Sequence, residues 1–304
     1  MERPAMNIGA VERDTGLGKD TLRVWERRYG FPQPTRDEKG ERLYPAPQVD
    51  RLRLIKRLMD QGFRPGRLVV SSDEELARLA APPAPAMSVR GVDAALLAHV
   101  LSRIKAHDVA ALRQALNQAM MRQGLHAFVS GTVAELNRAV GDAWMRGELE
   151  VFEEHLYTEM MQSLLRQAIS NLPPPTPGLP RILLTTVPDE QHVLGLLMAE
   201  ALFTLEGASC TSLGTQTPLH DIRLAAQAQD THIVALSFSA AFPSRQTAPL
   251  VAQLRELLPP AVGLWIGGRG AERLPAQAGV AALPELDAAL GALTAWQAAH
   301  AAAR

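Results

Sequence analysis

The stretch RILLTTVPDEQHVLGLLMAEALFTLEG, residues 181–207, decides how the second half of the chain is read. The run ILLTTV has strand composition, while LLMAEALFTLEG is apolar at helical spacing, so PDEQHVLG (188–195) joins a strand to a helix. His192 then lies near the carboxyl edge of a sheet, where open α/β folds place ligands. A lone histidine at a helix start caps or faces solvent more often than it ligates, so the rest of the chain must decide its role.

Outward from that stretch the pattern repeats. After residue 180 short β-rich runs (RILLTTV, ASCTSLG, THIVALSFS, AVGLWIGG) alternate with helical segments at 193–206, 219–229 and 246–257 and from about residue 285. This alternation predicts an α/β, Rossmann-like, doubly wound parallel sheet. Two loops follow its strands: SLGTQTP (212–218), with a Gly and a Pro, and WIGGRG (265–270), with Gly267 and Gly268.

Proline clusters punctuate the chain. PPPTPGLP (173–180) and APPAPAMS (81–88) cannot continue a helix. The proline-free stretch between them has apolar residues at three- and four-residue steps, as in a four-helix bundle. The expected organisation is multidomain: a head over 6–75, a linker over 76–91, a bundle over 92–172 and the sheet domain over 179–304.

Charge separates the head from the rest. Residues 1–70 hold 15 Lys and Arg against 10 Asp and Glu, a balance of +5, which leaves −6 elsewhere for a total of −1. A basic head suggests a polyanionic partner. A single cysteine, Cys210, excludes an internal disulfide and a cysteine-rich zinc site. The sequence has no N-terminal signal pattern and no apolar span of about 18 residues, so a soluble cytoplasmic protein with no membrane partner is expected.

In the head, MNIGAVERDTGLGKDTLRVWERRYG (6–30) reads as a helix, a turn at Thr15–Gly18 and a second helix, opened by Asp20 or Thr21 and closed by Gly30. Arg23, Arg27 and Arg28 fall within two turns of each other. A DEKGER turn, the strand RLY and a helix bearing Val49, Leu52, Leu54, Ile55 and Leu58 follow. TLRVWERRYG, RLY and LIKRLMDQGF together resemble the winged helix-turn-helix of the MerR family of transcriptional regulators. The resemblance implies double-stranded operator DNA as partner. Thr21, Arg23, Arg27, Arg28 and Tyr29 would face it from the recognition helix, and Arg42 from the wing.

In the bundle, WMRGELEVFEEH (144–155) sets Trp144, Val151, Glu154 and His155 at offsets of seven, ten and eleven. On a continuous helix the first, second and fourth share a face, with Glu154 beside them. With PDEQHVLG, and in this domain order, these residues resemble the CarH and LitR type of MerR regulator. The type's E-x-H-x-x-G motif falls on Glu190, His192 and Gly195. The resemblance implies that His192 is the lower axial ligand to the cobalt of cobalamin, with Glu190 holding its outer ring nitrogen. The W-x(9)-E-H motif implies an adenosylcobalamin cap: Trp144 over the adenosyl group, Val151 packed on it, Glu154 and His155 bonded to it. Gly267 and Gly268 would line the corrinoid's nucleotide tail. The type's S-x-L element is Ser237-Phe238-Ser239 here, with serine in third place.

Light-sensing relatives carry histidine immediately after the cap tryptophan, where this chain has Met145. A thioether is a weaker ligand for oxidised cobalt than imidazole, so the resemblance supports cobalamin binding better than a light response. The implied function is non-enzymatic: a repressor whose oligomeric state (dimer or tetramer) and DNA binding respond to adenosylcobalamin, with light as a further input. Two alternatives stay open: a DNA-binding regulator that senses another ligand such as heme, and a cobalamin-dependent methyltransferase-type module, which would leave the basic head unexplained.

Overall fold

A computed structural model describes residues 4–60, 63–80, 94–173 and 180–301. APPAPAMS and most of PPPTPGLP, with the boundaries expected there, lie outside the described residues. The chain divides into two compact units, Met1–Gly91 with Arg138–Glu154 and Val92–Asn137 with His155–Arg304.

The first unit begins with the head. β1 (Met6–Asn7) leads into α1 (Ile8–Thr15), capped by Asn7, whose Oδ1 accepts the Ala10 N–H at 2.8 Å. Gly16, at φ +70°, ends α1 in the left-handed conformation. α2 (Lys19–Tyr29) starts one or two residues earlier than expected, after Gly18, and ends at Gly30. β2 (Thr35–Arg36) and β3 (Arg42–Tyr44) form the wing hairpin, and β3 also pairs with β1, all antiparallel. α3 (Ala46–Asp60), α4 (Pro65–Leu68) and α5 (Asp73–Ala80) complete the head.

Leu22, Trp25, Tyr44, Leu52, Ile55 and Leu76 are buried in one core there. Leu76 corrects the expected linker start: residues 76–80 are the end of α5, and Leu76 is held by the head's apolar core. Arg53 is buried in the same region and forks onto Asp14 (2.8 and 2.7 Å) and onto Asp50 (2.8 Å). Removing one partner of such a buried pair strands a charge, at a loss of about 3–5 kcal/mol.

The helical region follows: α6 (Ala94–Lys105), α7 (Val109–Gln123), then one rod made of α8 (Leu125–Ala127), a π-helical stretch Phe128–Val133 and α9 (Ala134–Met145), and finally α10 (Val151–Ser170). These are the four rods expected of the bundle. The continuous helix expected through residues 144–155 is corrected. The Gly147 N–H bonds to the Trp144 carbonyl and the Glu148 N–H to the Ala143 carbonyl, both at 2.9 Å, which is the double hydrogen bond of a Schellman stop. Gly147, at φ +71°, provides the left-handed residue that such a stop requires. α10 restarts after Glu150, whose N–H is accepted by Glu153 Oε2 at 2.7 Å, half of a capping box.

In the second unit β4 (Arg181–Thr185), α11 (Leu194–Leu205), β5 (Ser209–Ser212), α12 (Leu219–Ala228), β6 (Ile233–Ser237), α13 (Ser244–Leu257), β7 (Gly263–Gly267), β8 (Val280–Leu283) and α14 (Leu286–Ala301) alternate as expected. The described strands form one parallel sheet in the order β5-β4-β6-β7-β8. β8 was not expected. It is a short edge strand with no buried residue, so its apolar signal is weak. One face packs Ile222, Val251 and Leu254 of α12 and α13 against Val234 and Leu264, and the other packs Phe203 and Leu293 of α11 and α14 against Ile182 and Trp265. Chain direction across the sheet reverses between β4 and β6, which makes their carboxyl ends the topological switch point. Cys210 lies on β5, where burial pushes its thiol up to about 12 against a weaker pull from a Thr204 hydrogen bond.

Candidate cofactor and nucleic-acid sites

At the switch point the chain leaves β4 through Thr186 and Val187, both buried, and turns at Asp189, at φ +68°. Aspartate is among the few residues that adopt this conformation at small cost. The Thr186 hydroxyl donates to the Glu190 carbonyl at 2.6 Å and accepts the Gln216 N–H at 2.8 Å. Thr185 and Thr217 hydroxyls meet at 2.7 Å, and Thr185 also donates to the Gly214 carbonyl at 3.0 Å. The SLGTQTP loop is thereby stitched to the end of β4.

Glu190 is 1 % exposed and uses both carboxylate oxygens. Oε1 accepts the His192 backbone N–H at 2.9 Å and lies 2.7 Å from His192 Nδ1, while Oε2 accepts the Ser239 backbone N–H at 2.7 Å. Burial pushes this carboxyl up, but the hydrogen bonds and charge of His192 and the bond from Ser239 outweigh it, and the pKa falls below the ordinary carboxylate value. The His192 ring is 62 % exposed. With Nδ1 turned to the carboxylate, Nε2 is the ring atom set for ligation, as in carboxylate-oriented metal histidines.

Gly195 is in the first turn of α11, where a Cβ would come within 2.9 Å of Ser237 Oγ. Ser237 pairs in register with Gly267 at the ends of β6 and β7. Ser239 Oγ is buried without a hydrogen-bond partner among the described residues. Gly268, at φ +82°, would put a Cβ 2.3 Å from the Phe238 carbonyl oxygen. The structure therefore gathers Glu190, His192, Gly195, Ser237, Ser239, Gly267 and Gly268 around the carboxyl ends of β4, β6 and β7.

Sequence reading missed Thr185, Thr186 and Thr217, whose role depends on partners about 30 positions away. It also missed Gly270, where a Cβ would lie 2.7 Å from the Ser239 carbonyl oxygen. The third glycine of GGRG was a usable signal.

Trp144, Val151 and Glu154 belong to the first unit, and His155 to the second. Trp144 is half-buried in the last turn of α9, its ring centroid 5.9 Å from the Arg53 guanidinium carbon. Its Nε1 is buried without a partner among the described residues. Val151, Glu154 and His155 share one face in the first turn of α10, Val151 and Glu154 half-buried and His155 exposed. Met145 closes α9, and its side chain lies outside the described atoms.

On the head, Arg23, Arg27 and Arg28 are exposed along α2, and Thr21 is half-buried. Tyr29 leans on the head core, with the Arg28 guanidinium 5.3 Å from its ring. Arg42 donates from Nε to Glu26 Oε2 at 2.9 Å, tying the wing to the recognition helix.

The family model described as MerR HTH family regulatory protein matches residues 6–68, and that described as B12 binding domain matches residues 96–169. The HTH-type transcriptional repressor CarA of Myxococcus xanthus is 30 % identical over 270 residues, covering 88 % of this chain and 87 % of CarA. The HTH-type transcriptional repressor CarH of the same organism is 30 % identical over 276 residues, covering 89 % and 91 %. Among solved structures, the monomethylamine corrinoid protein of Methanosarcina barkeri superposes with a TM-score of 0.52 at 16 % identity, over 67 % of this chain and all of that one, a likeness of fold alone. With a MerR head, a B12 binding domain and near end-to-end similarity to both repressors, the chain belongs to the CarA/CarH family of MerR-type transcriptional regulators.

Proposed function

We propose that this family member is a non-enzymatic cytoplasmic repressor that takes up adenosylcobalamin and binds double-stranded operator DNA through α2 and the wing. The observation that supports it most directly is the Glu190–His192 pair at the switch point, an imidazole held in one orientation by a buried carboxylate. Imidazole suits cobalt, and a hydrogen-bonded carboxylate raises its basicity. His192 would be the protein's ligand to the cobalt. The small residue Gly195, the orphaned hydroxyl of Ser239 and the backbone at Gly267 and Gly268 suit close approach of a nucleotide tail. Trp144, Val151, Glu154 and His155 would cover the upper substituent. When bound, the corrinoid supplies a photolabile cobalt–carbon bond.

Regulation then follows from linkage. A ligand that prefers one assembly shifts the equilibrium by its difference in affinity. If that assembly is a dimer or tetramer, several heads reach adjacent half-sites and occupancy rises without a new base contact. The deciding experiment is the visible spectrum of the full chain after incubation with adenosylcobalamin and removal of free cofactor. Retained corrinoid absorption in wild type, lost in His192→Ala, is the expected result. A colourless wild-type protein, or a Soret band gained on adding heme instead, would sink this reading.

A further inference from the structure

The side chains that α2 turns away from the head include one apolar residue. At about 100° per residue, Asp20, Arg23, Val24 and Arg27 occupy the face opposite Leu22 and Trp25, both of which are buried in the head core. Val24 is 41 % exposed. Arg23 Nη1 is paired with Asp20 Oδ1 at 3.0 Å, so the one carboxylate on this exposed face has a positive partner. The remaining charge is positive, from Arg27 and Arg28.

We propose that Val24 is a sequence-reading residue of the head and packs against the C5-methyl group of a thymine in the major groove. The inference rests on the reading of the head as a duplex-DNA binder. A valine offers neither donor nor acceptor, and the thymine methyl is the apolar feature of the major-groove edge. β-Branching confines Val24 essentially to one rotamer on a helix, so its methyl groups are set before contact. The surrounding arginines favour a polyanion, and an isolated valine is too small to anchor a protein interface, where valine is under-represented among strongly contributing residues. Tyr29 and Arg42, by contrast, are engaged with the head core and with Glu26.

The test uses the full chain loaded as in the spectrum experiment. Duplexes are selected from a randomised library by wild type and by Val24→Ala, and each thymine of the best wild-type duplex is then replaced singly by deoxyuridine, which removes only the methyl group. One thymine per half-site should matter to wild type, with affinity falling roughly three- to five-fold, the factor expected for one buried methyl group. Val24→Ala should bind the thymine and deoxyuridine duplexes equally and select no base there. Wild type indifferent to every replacement, or Val24→Ala retaining the same thymine preference, overturns the assignment while leaving salt-dependent DNA binding intact. Binding to no duplex at any salt would overturn the DNA reading with it.

Discussion

Glu190 Oε2 accepts the Ser239 backbone N–H at 2.7 Å, so the carboxylate that orients His192 is also anchored to the end of β6. The histidine's direction is thus set by a carboxylate of its own loop that a residue beyond β6 holds in place. Glu190→Gln keeps the shape but offers an amide N–H₂ in place of one acceptor oxygen, facing either the Ser239 N–H or the His192 ring. We expect corrinoid affinity to fall by about ten- to a hundred-fold, the usual effect of losing a metal histidine's hydrogen-bond partner, with DNA binding by the head unchanged. Spectroscopic titration checks it, and wild-type affinity in Glu190→Gln would refute the orienting role.

The same carboxylate makes a signed prediction about pH. Its folded pKa lies below the ordinary value of 4.5, so its contribution to stability is fully present above that value and is lost as pH falls through the depressed one. Wild-type stability in the absence of corrinoid should therefore drop more steeply than that of Glu190→Gln as pH falls below the ordinary carboxylate value of 4.5. Denaturant melts at several pH values measure the difference, and parallel curves would contradict it.

Arg27 and Arg42 should affect DNA binding differently. Arg27 is exposed on α2, and Arg27→Ala should reduce the salt slope of binding by about 0.9 if one phosphate contact is lost. Arg42 is paired with Glu26, so Arg42→Ala should weaken binding mainly by loosening the wing. Glu26→Ala should then cost a similar amount, and the double variant little more than either single one. Additive losses in that cycle would mean that Arg42 acts on DNA independently of Glu26.

Gly268 and Gly267 are adjacent but should tolerate substitution very differently. Gly268→Ala combines a positive φ with a Cβ 2.3 Å from the Phe238 carbonyl oxygen, a backbone atom that cannot swing away, whereas the nearest atom to a Cβ on Gly267 is at 3.5 Å. We expect Gly268→Ala to destabilise the sheet domain by more than about 2 kcal/mol and Gly267→Ala by less than half of that. Thermal melts of the two variants give the answer.

Met145 tests whether the proposed regulator responds to light. With adenosylcobalamin bound, illumination should leave Met145→His, and not wild type, with the spectrum of a corrinoid held by two histidines. If wild type shows that spectrum and His155→Ala loses it, His155 supplies the second imidazole. If the spectrum survives His155→Ala, the role assigned to the residue after Trp144 is wrong.

Much of the sheet domain was legible because its strands and helices have different apolar periods, and PDEQHVLG could be placed at a strand end before any contact was known. What escaped has identifiable causes. β8 is a partly exposed edge with almost no burial signal. The break after Met145 was readable in Gly147, yet the spacing of Trp144 to His155 invited a continuous helix. The Glu190–Ser239 bond joins residues 49 positions apart, and no local pattern encodes such a pairing. Likewise, TLRVWERRYG located the recognition helix, but only the fold separates an outward Val24 from a Tyr29 that leans on the core.

Cys210 has a practical consequence for bioconjugation. It is the chain's one cysteine, and a thiol pushed up to about 12 holds almost no nucleophilic thiolate at neutral pH. A maleimide dye should therefore leave the native protein nearly unmodified, so a single cysteine introduced at an exposed position such as His220 or Arg113 would take the label selectively. With one such cysteine at exposed Glu74 of α5 in the head and another at His220 of α12, distances between head and sheet domain could be followed by energy transfer without first removing the native thiol.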